Sequence, residues 1–368
     1  MTDYIELGDN SRKNSNLDEA ENWYLKNLEA AEKLAAETNT LNSRRELSEA
    51  YIKLGDINKD KHHYEESKDW YLKAKDINQA IAEQINTVES YKKLAECYNA
   101  LGEISESAEY YEESKDWYLK SLEIAKKIVA ETNSIDDHLN LAAAYLQLGS
   151  AWKNAGNYKG ANDCFLKGID IAEKADAEFS TKKSLMILYI SYFILRYNSI
   201  RQGNYAEAKR WSMKEVEIAE KLTELTNSDD SYQYLTDGLI RLGKICETEG
   251  SLDEAKGWYF KEMEIAEKLT KETNTVDAYR HLTDSFIRLG KICDKESLFD
   301  EAKTWYLKAL ENEEKTAKNV NIAVSVDKLS GIYIDLYNTA NAKGNKDEAK
   351  SWYSKYSEIE KLKRNNKL

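Results

Sequence analysis

Residues 253–269 read DEAKGWYFKEMEIAEKL. Acidic residues lead, lysines close, and Ala255, Trp258, Tyr259, Ile265, Ala266 and Leu269 recur mostly three or four residues apart. This is the pattern of an amphipathic helix whose ends suit the helix dipole. It returns along the chain at a fixed interval. Trp23, Trp70, Trp117, Trp211, Trp258, Trp305 and Trp352 lie on one 47-residue grid (70 − 23 = 47), with Cys164 at the missing point. Leu7, Leu54, Leu101, Leu148, Leu195, Leu242, Leu289 and Leu336 form a second column. Leu47, Leu94, Leu141, Leu188, Leu235, Leu282 and Leu329 form a third. Eight units in register, with no insertion, predict a repeat array and leave no stretch for a separate catalytic domain.

Composition points the same way. The 368 residues include no proline, and period-two runs of β-branched residues are missing, which favours long helices. Mean hydropathy is −0.72. The net charge of −13 disfavours nucleic-acid phosphate and anionic lipid as partners. The opening MTDYIELGDN has neither a basic start nor an apolar run, so a cytoplasmic location is expected. Cys97, Cys164, Cys246 and Cys293 lie far apart, which fits reduced thiols better than disulfides or a zinc site. The most apolar stretch, SLMILYISYFILRYN at 184–198, is shorter than the roughly 18–20 residues a membrane span needs.

Each unit reads as two helices, A then B. The B-to-A boundary carries ETNT at 37–40, INT at 85–87, ETNS at 131–134, LTNS at 225–228 and ETNT at 272–275. Asn tolerates the left-handed conformation that ends a helix, and the following Thr or Ser caps the next. The expected organisation is one solenoid over 1–362, with units bounded near 39, 86, 133, 180, 227, 274 and 321, and a polar tail at 363–368. Helix A of the unit containing Gly55 is expected over 41–60. Unpaired end helices suggest end-to-end or dimeric self-association.

A family resemblance follows from the columns. Tyr51, Leu54 and Gly55, then Ser67, Tyr71 and Ala74, resemble the W-x₂-L-G … A-x₃-F signature of tetratricopeptide repeats. Tyr98/Leu101/Gly102, Tyr145/Leu148/Gly149 and Phe286/Leu289/Gly290 repeat it. The unit is longer than the ~34-residue standard, lengthened around the TN[ST] turn and without the closing Pro. In this it is similar to kinesin light chain repeats. The resemblance implies an all-α, right-handed superhelical solenoid of about eight antiparallel helix pairs. Helix A would line a concave groove and helix B the convex side.

The positions that would face that groove are spaced 3, 4, 3 along helix A. In successive units they are Glu46/Glu49/Lys53/Asp56, Lys93/Glu96/Ala100/Glu103 and Asn140/Ala143/Gln147/Ser150. The fourth set is Ile187/Ile190/Ile194/Tyr197. Tyr234/Asp237/Arg241/Lys244, His281/Asp284/Arg288/Lys291 and Lys328/Gly331/Asp335/Asn338 follow. The fourth set is an apolar stripe where other units are mostly polar. Leu188, Tyr192, Phe193 and Leu195 match core columns instead, and Tyr189 is expected in the core. Burial of the stripe against the chain itself or a second copy is the alternative to partner binding.

The expected function is therefore a non-enzymatic scaffold or adaptor that binds a peptide or protein in the groove. Its site would be Ile187, Ile190, Ile194, Tyr197, Arg241, Lys244, Arg288 and Lys291. Alternatives are a regulator whose superhelix closes on a signal peptide, and a helical-repeat RNA binder, which four basic groove residues support poorly. Pairing of Asp237 and Asp284 with the basic residues would leave that face merely solvated. The carboxylate-clamp pattern of the family is missing, so chaperone tails are not expected as ligands. His62, His63, His138 and His281 form no ligand motif, and no catalytic residue, metal or cofactor is expected.

Overall fold

The computed structural model describes residues 3–319 and 322–364, which form sixteen helices. Their order is α1 (Tyr4–Lys13), α2 (Leu17–Thr38), α3 (Leu41–Asp60), α4 (Tyr64–Ile85), α5 (Val88–Ser107), α6 (Tyr111–Thr132), α7 (Ile135–Asn154) and α8 (Tyr158–Glu178). Then come α9 (Lys182–Arg201), α10 (Tyr205–Thr226), α11 (Asp229–Thr248), α12 (Leu252–Thr273), α13 (Val276–Lys295), α14 (Phe299–Asn319), α15 (Ile322–Ala342) and α16 (Lys346–Arg364). Odd helices are A and even helices are B, giving eight pairs among the described residues. The expected boundary near 321 and residues 365–368 of the expected tail lie outside them. No described helix is long and apolar enough to cross a membrane.

Two kinds of turn set the period. After α2, α4, α6, α10 and α12 the chain turns at Asn39, Asn86, Asn133, Asn227 and Asn274, all left-handed with φ of 44–52°. Thr40, Thr87, Ser134, Ser228 and Thr275 then cap the next helix by accepting a backbone N–H. Between A and B, one left-handed residue recurs at Ser15, His62, Glu109, Gly156, Gly203, Gly250, Ser297 and Gly344. A bond such as Tyr110 N–H to the Ser105 carbonyl, 2.7 Å, closes this turn. His62 is therefore a turn residue, and it meets the Tyr64 hydroxyl at 3.0 Å.

Chain contacts divide the molecule into two compact units, Met1–Ser191 and Tyr192–Leu368, so the division falls within α9. In the first unit the A and B helices of a pair close on a glycine–aromatic contact, with tyrosine in three pairs and Phe165 against Gly149 in α7–α8. A Cβ on Gly102 would lie 2.6 Å from the Tyr118 ring, so only glycine lets the helices approach this far. Successive pairs are tied by a second device. Trp117 stacks on Tyr98, centroids 5.8 Å apart, with Lys120 3.9 Å above its ring. The indole N–H donates to Glu113, which pairs with Lys68 of the preceding pair at 2.7 Å. In α8 the tryptophan column holds Cys164 and the glutamate column Gly160. Trp152, off the grid, packs over Gly160, and Lys115 lies 4.7 Å from its ring centroid, its ion pair being with Glu112 of its own helix instead of with the next pair. Thus the missing tryptophan is matched by a missing glutamate and a displaced indole.

In the second unit the Lys–Glu tie recurs as Lys209–Glu254 at 2.6 Å and Lys256–Glu301 at 2.9 Å. Tyr259 and Tyr306 close on Gly243 and Gly290. The α9–α10 pair departs from this rule. Its glycine column holds Arg196 and its tyrosine column Ser212.

Candidate partner-binding surface

Helix α9 begins at a turn unlike the others. Ser180 stands where other units have Asn, and Phe179 is extended rather than left-handed. Thr181 and Ser184 still exchange the capping bonds, both 3.0 Å, so α9 keeps its register. The helix is apolar nearly all round, as a run of Leu, Ile, Tyr and Phe from 185 to 195 requires.

The predicted stripe divides. Ile187 and Ile194 are buried, whereas Ile190 is 39 % and Tyr197 45 % exposed. Phe193, expected in the core, is 36 % exposed. Ile190, Phe193 and Tyr197 follow one another at steps of three and four, which places them on one face of the helix. Tyr189 is buried, as expected.

Beneath Phe193 lies a charged cluster that the sequence reading missed. Glu215 is 0 % and Arg196 5 % exposed. The Arg196 Nε donates to Glu215 at 2.8 Å, and Arg241 donates to its other oxygen at 2.7 Å. Arg241 also lies 3.5 Å from Asp237. Both guanidinium groups face the Phe193 ring, at 4.8 and 5.3 Å from its centroid. One carboxylate between two arginines holds the ring in a fixed setting.

The next pair repeats half of this. Arg288 donates to Glu262 at 2.7 Å, and the Ser285 hydroxyl donates to the same oxygen at 2.8 Å. Burial pushes the Glu262 carboxyl above its ordinary range, against the opposing pull of Arg288 and Ser285. Arg241 and Arg288 thus have carboxylate partners beyond the anticipated Asp237 and Asp284; Asp284 pairs with Lys328 at 2.8 Å. Lys244 is exposed, and Lys291, also exposed, lies 3.8 Å from Asp335. The signal was present in the repeat. The column of Glu215 and Glu262 holds Asn27, Ala74, Ser121, Gly168, Ala309 and Tyr356 elsewhere, and each glutamate sits in the repeat just before the one that carries its arginine, Arg241 or Arg288.

No group of three or more His, Cys, Asp or Glu could hold a metal ion among the described residues. All four cysteines are buried thiols, and burial pushes Cys246 and Cys293 up to about 11, which makes them poor nucleophiles.

Residues 48–81, 95–128 and 283–316 match the tetratricopeptide repeat model. Each match covers the later part of an A helix and most of the following B helix, and omits the asparagine turn. No curated protein matches the chain. Among solved structures, it resembles a signal transduction ATPase with numerous domains and a tetratricopeptide repeat sensor from Pyrococcus horikoshii. The TM-score is 0.57 at 18 % identity, over 89 % of this chain and 43 % of that one. It also resembles BtubC (BKLC) from P. vanneervenii, with a TM-score of 0.53 at 16 % identity over 69 % of this chain and 92 % of that one. The three matched stretches are tetratricopeptide repeats, and the eight helix pairs among the described residues continue the same A–B architecture along the chain.

Proposed function

We propose that the protein is a non-enzymatic interaction scaffold that holds a peptide or a partner protein against the exposed face of its A helices. The observation that carries this reading is the exposed apolar row of Ile190, Phe193 and Tyr197 on α9, in which Ile190 and Tyr197 stand at columns where other A helices present charged, small or polar residues. Aromatic and aliphatic side chains beside arginine are the composition of a binding hot spot, and burying each would contribute roughly 1.5–3 kcal/mol gross. Ile187 and Ile194 are buried and belong to the packing of the fold. Arg241 and Arg288, matched by Glu215 and Glu262, act as fixed supports with little charge to spare. Lys244 and Lys291 carry the outward positive charge that would orient a partner.

The test is affinity capture from the native host with the intact chain and with Ile190→Asp, Phe193→Ala and Tyr197→Ala. The expected outcome is loss of a partner that the intact chain retains, at least tenfold, with unchanged helical circular dichroism and melting. Recovery of the same partner by all three folded variants would sink the proposal.

A further inference from the structure

In α5, Asn99 occupies a column that is apolar in every other unit: Ile5, Ile52, Leu146, Phe193, Ile240, Ile287 and Ile334. Its Oδ1 is buried without a hydrogen-bond partner. An unpaired buried polar atom is destabilising, and seven sister positions show that an apolar side chain suits the site. Such a residue is a candidate for recognition, since a group kept against the stability of the fold is often kept for a ligand.

Asn99 lines a cleft of about 230 Å³ formed by α5, α6 and α7 of the first unit. Ser121, Asn140 and Gln147 complete its polar lining, over an apolar floor that includes Ala125 and Ile128. Its ionic groups are already matched. Lys92 lies 2.6 Å from Asp137, and Glu96 is 2.8 Å from Lys93. A charged ligand would enter with no free counter-charge. An aliphatic ligand would leave the Asn99 oxygen unpaired. A carboxamide presents a donor and an acceptor together, the complement of what Asn99 and Gln147 present; Asn140 adds its amide N–H, since its oxygen already accepts from Lys183 at 2.8 Å. At the same columns two repeats later, in the second unit, Phe193, Glu215 and Arg241 stand in place of Asn99, Ser121 and Gln147. There the chain supplies its own buried polar partners.

We propose that the α5–α7 cleft binds the side-chain carboxamide of an asparagine or glutamine in a partner peptide, with Asn99 as the specificity-determining residue. This rests on the reading of the protein as a peptide-binding scaffold. The floor at Ala125 and Ile128 takes the methylene stem, and the amides of Asn99, Asn140 and Gln147 read the head group.

The experiment is an NMR titration of the full isotope-labelled chain with N-acetyl-glutamine methylamide, and with the glutamate, leucine and glycine analogues as separate probes. The glutamine probe is expected to shift α5–α7 resonances with at least tenfold higher affinity than the others. Asn99→Ile is expected to abolish that shift while raising the urea midpoint, and Gln147→Ala to weaken binding severalfold in a folded chain. The proposal is overturned if the leucine probe binds equally well, if Asn99→Ile still binds, or if that variant is less stable than the parent. Equal shifts with the glycine probe would assign the cleft to backbone amides and overturn the side-chain assignment. Substitutions at Phe193 and Tyr197 should leave the titration unchanged, so partner capture lost at α9 with no probe bound here would remove this inference alone.

Discussion

In the α5–α6 pair, Gly102 lies against the Tyr118 ring, and the A and B helices close on a fully apolar contact plus one phenol that reaches Glu106 at 3.3 Å. In the α9–α10 pair the sizes are exchanged. Arg196 stands for the glycine and Ser212 for the tyrosine, and the contact is made by a buried guanidinium–carboxylate pair. Both solutions fill the same place in the repeat. They differ in what they leave for function. The glycine–tyrosine contact is complete within its pair. The Arg196–Glu215 contact draws in Arg241 from the next A helix and puts two guanidinium groups against Phe193, so an aromatic ring is held half-exposed. A buried ion pair is seldom retained for stability, because desolvation offsets most of the attraction. Here it is better understood as fixing a surface.

Breaking the second solution should have the largest effect. Glu215→Ala leaves Arg196 buried without a counter-charge, and a loss of about 3–5 kcal/mol is expected from the urea midpoint. Hydrogen exchange should speed most in α9, α10 and α11. A loss below about 1 kcal/mol would mean that the pair behaves as an exposed one and does not fix Phe193.

Breaking the first should be milder. Gly102→Ala drives a methyl group into a ring that cannot move freely, since Tyr118 is itself buried. Overpacking of this kind costs about 1–3 kcal/mol, read again from the urea midpoint. A neutral result would show that the helix pair can separate without penalty.

The smallest effect concerns pH and sharpens the contrast between two buried carboxylates. Glu262 is held above its ordinary range by burial, so the native state binds a proton that the unfolded chain has lost as pH rises through the window between their values. Stability should fall with rising pH there. Glu262→Gln removes this slope and should match the parent at low pH and exceed it slightly at pH 7. Asp137 goes the other way. Burial alone would raise it, but Lys92, Ser134 and Thr132 together lower it to about 2. Asp137→Asn should be destabilising at pH 7, with the difference shrinking as pH falls from about 4 to about 2. Parallel urea titrations of both variants across pH check the two signs.

Much of this architecture is legible from the residues. Asn86 and Thr87 announce the end of α4 and the start of α5, because one is at ease in a left-handed turn and the other offers a hydroxyl to a bare backbone N–H. Helix α3 spans Leu41–Asp60, the range its turns predict. The stripe on α9 was less legible. Periodicity places Ile187, Phe193 and Ile194 on faces of one helix, but exposure depends on which neighbours press on each face. That is why Ile187 is buried while Phe193 is not. The charges were legible only as residues. Asp237 is the partner that spacing suggests for Arg241, and the carboxylate that holds it more closely, Glu215, lies 26 residues earlier on another helix.

Local chemistry acts over a few residues, so the sequence by itself determined the helices, their caps, the 47-residue period and the columns of core leucines and tryptophans. Only the tertiary structure decided which of the α9 side chains reach the surface, that Arg196 and Arg241 share Glu215, and that Asn99 borders a cleft with an unpaired oxygen. Those outcomes depend on distances between helices far apart in the chain, and an ion pair or an unsatisfied atom exists only once packing has brought its neighbours close or kept them away.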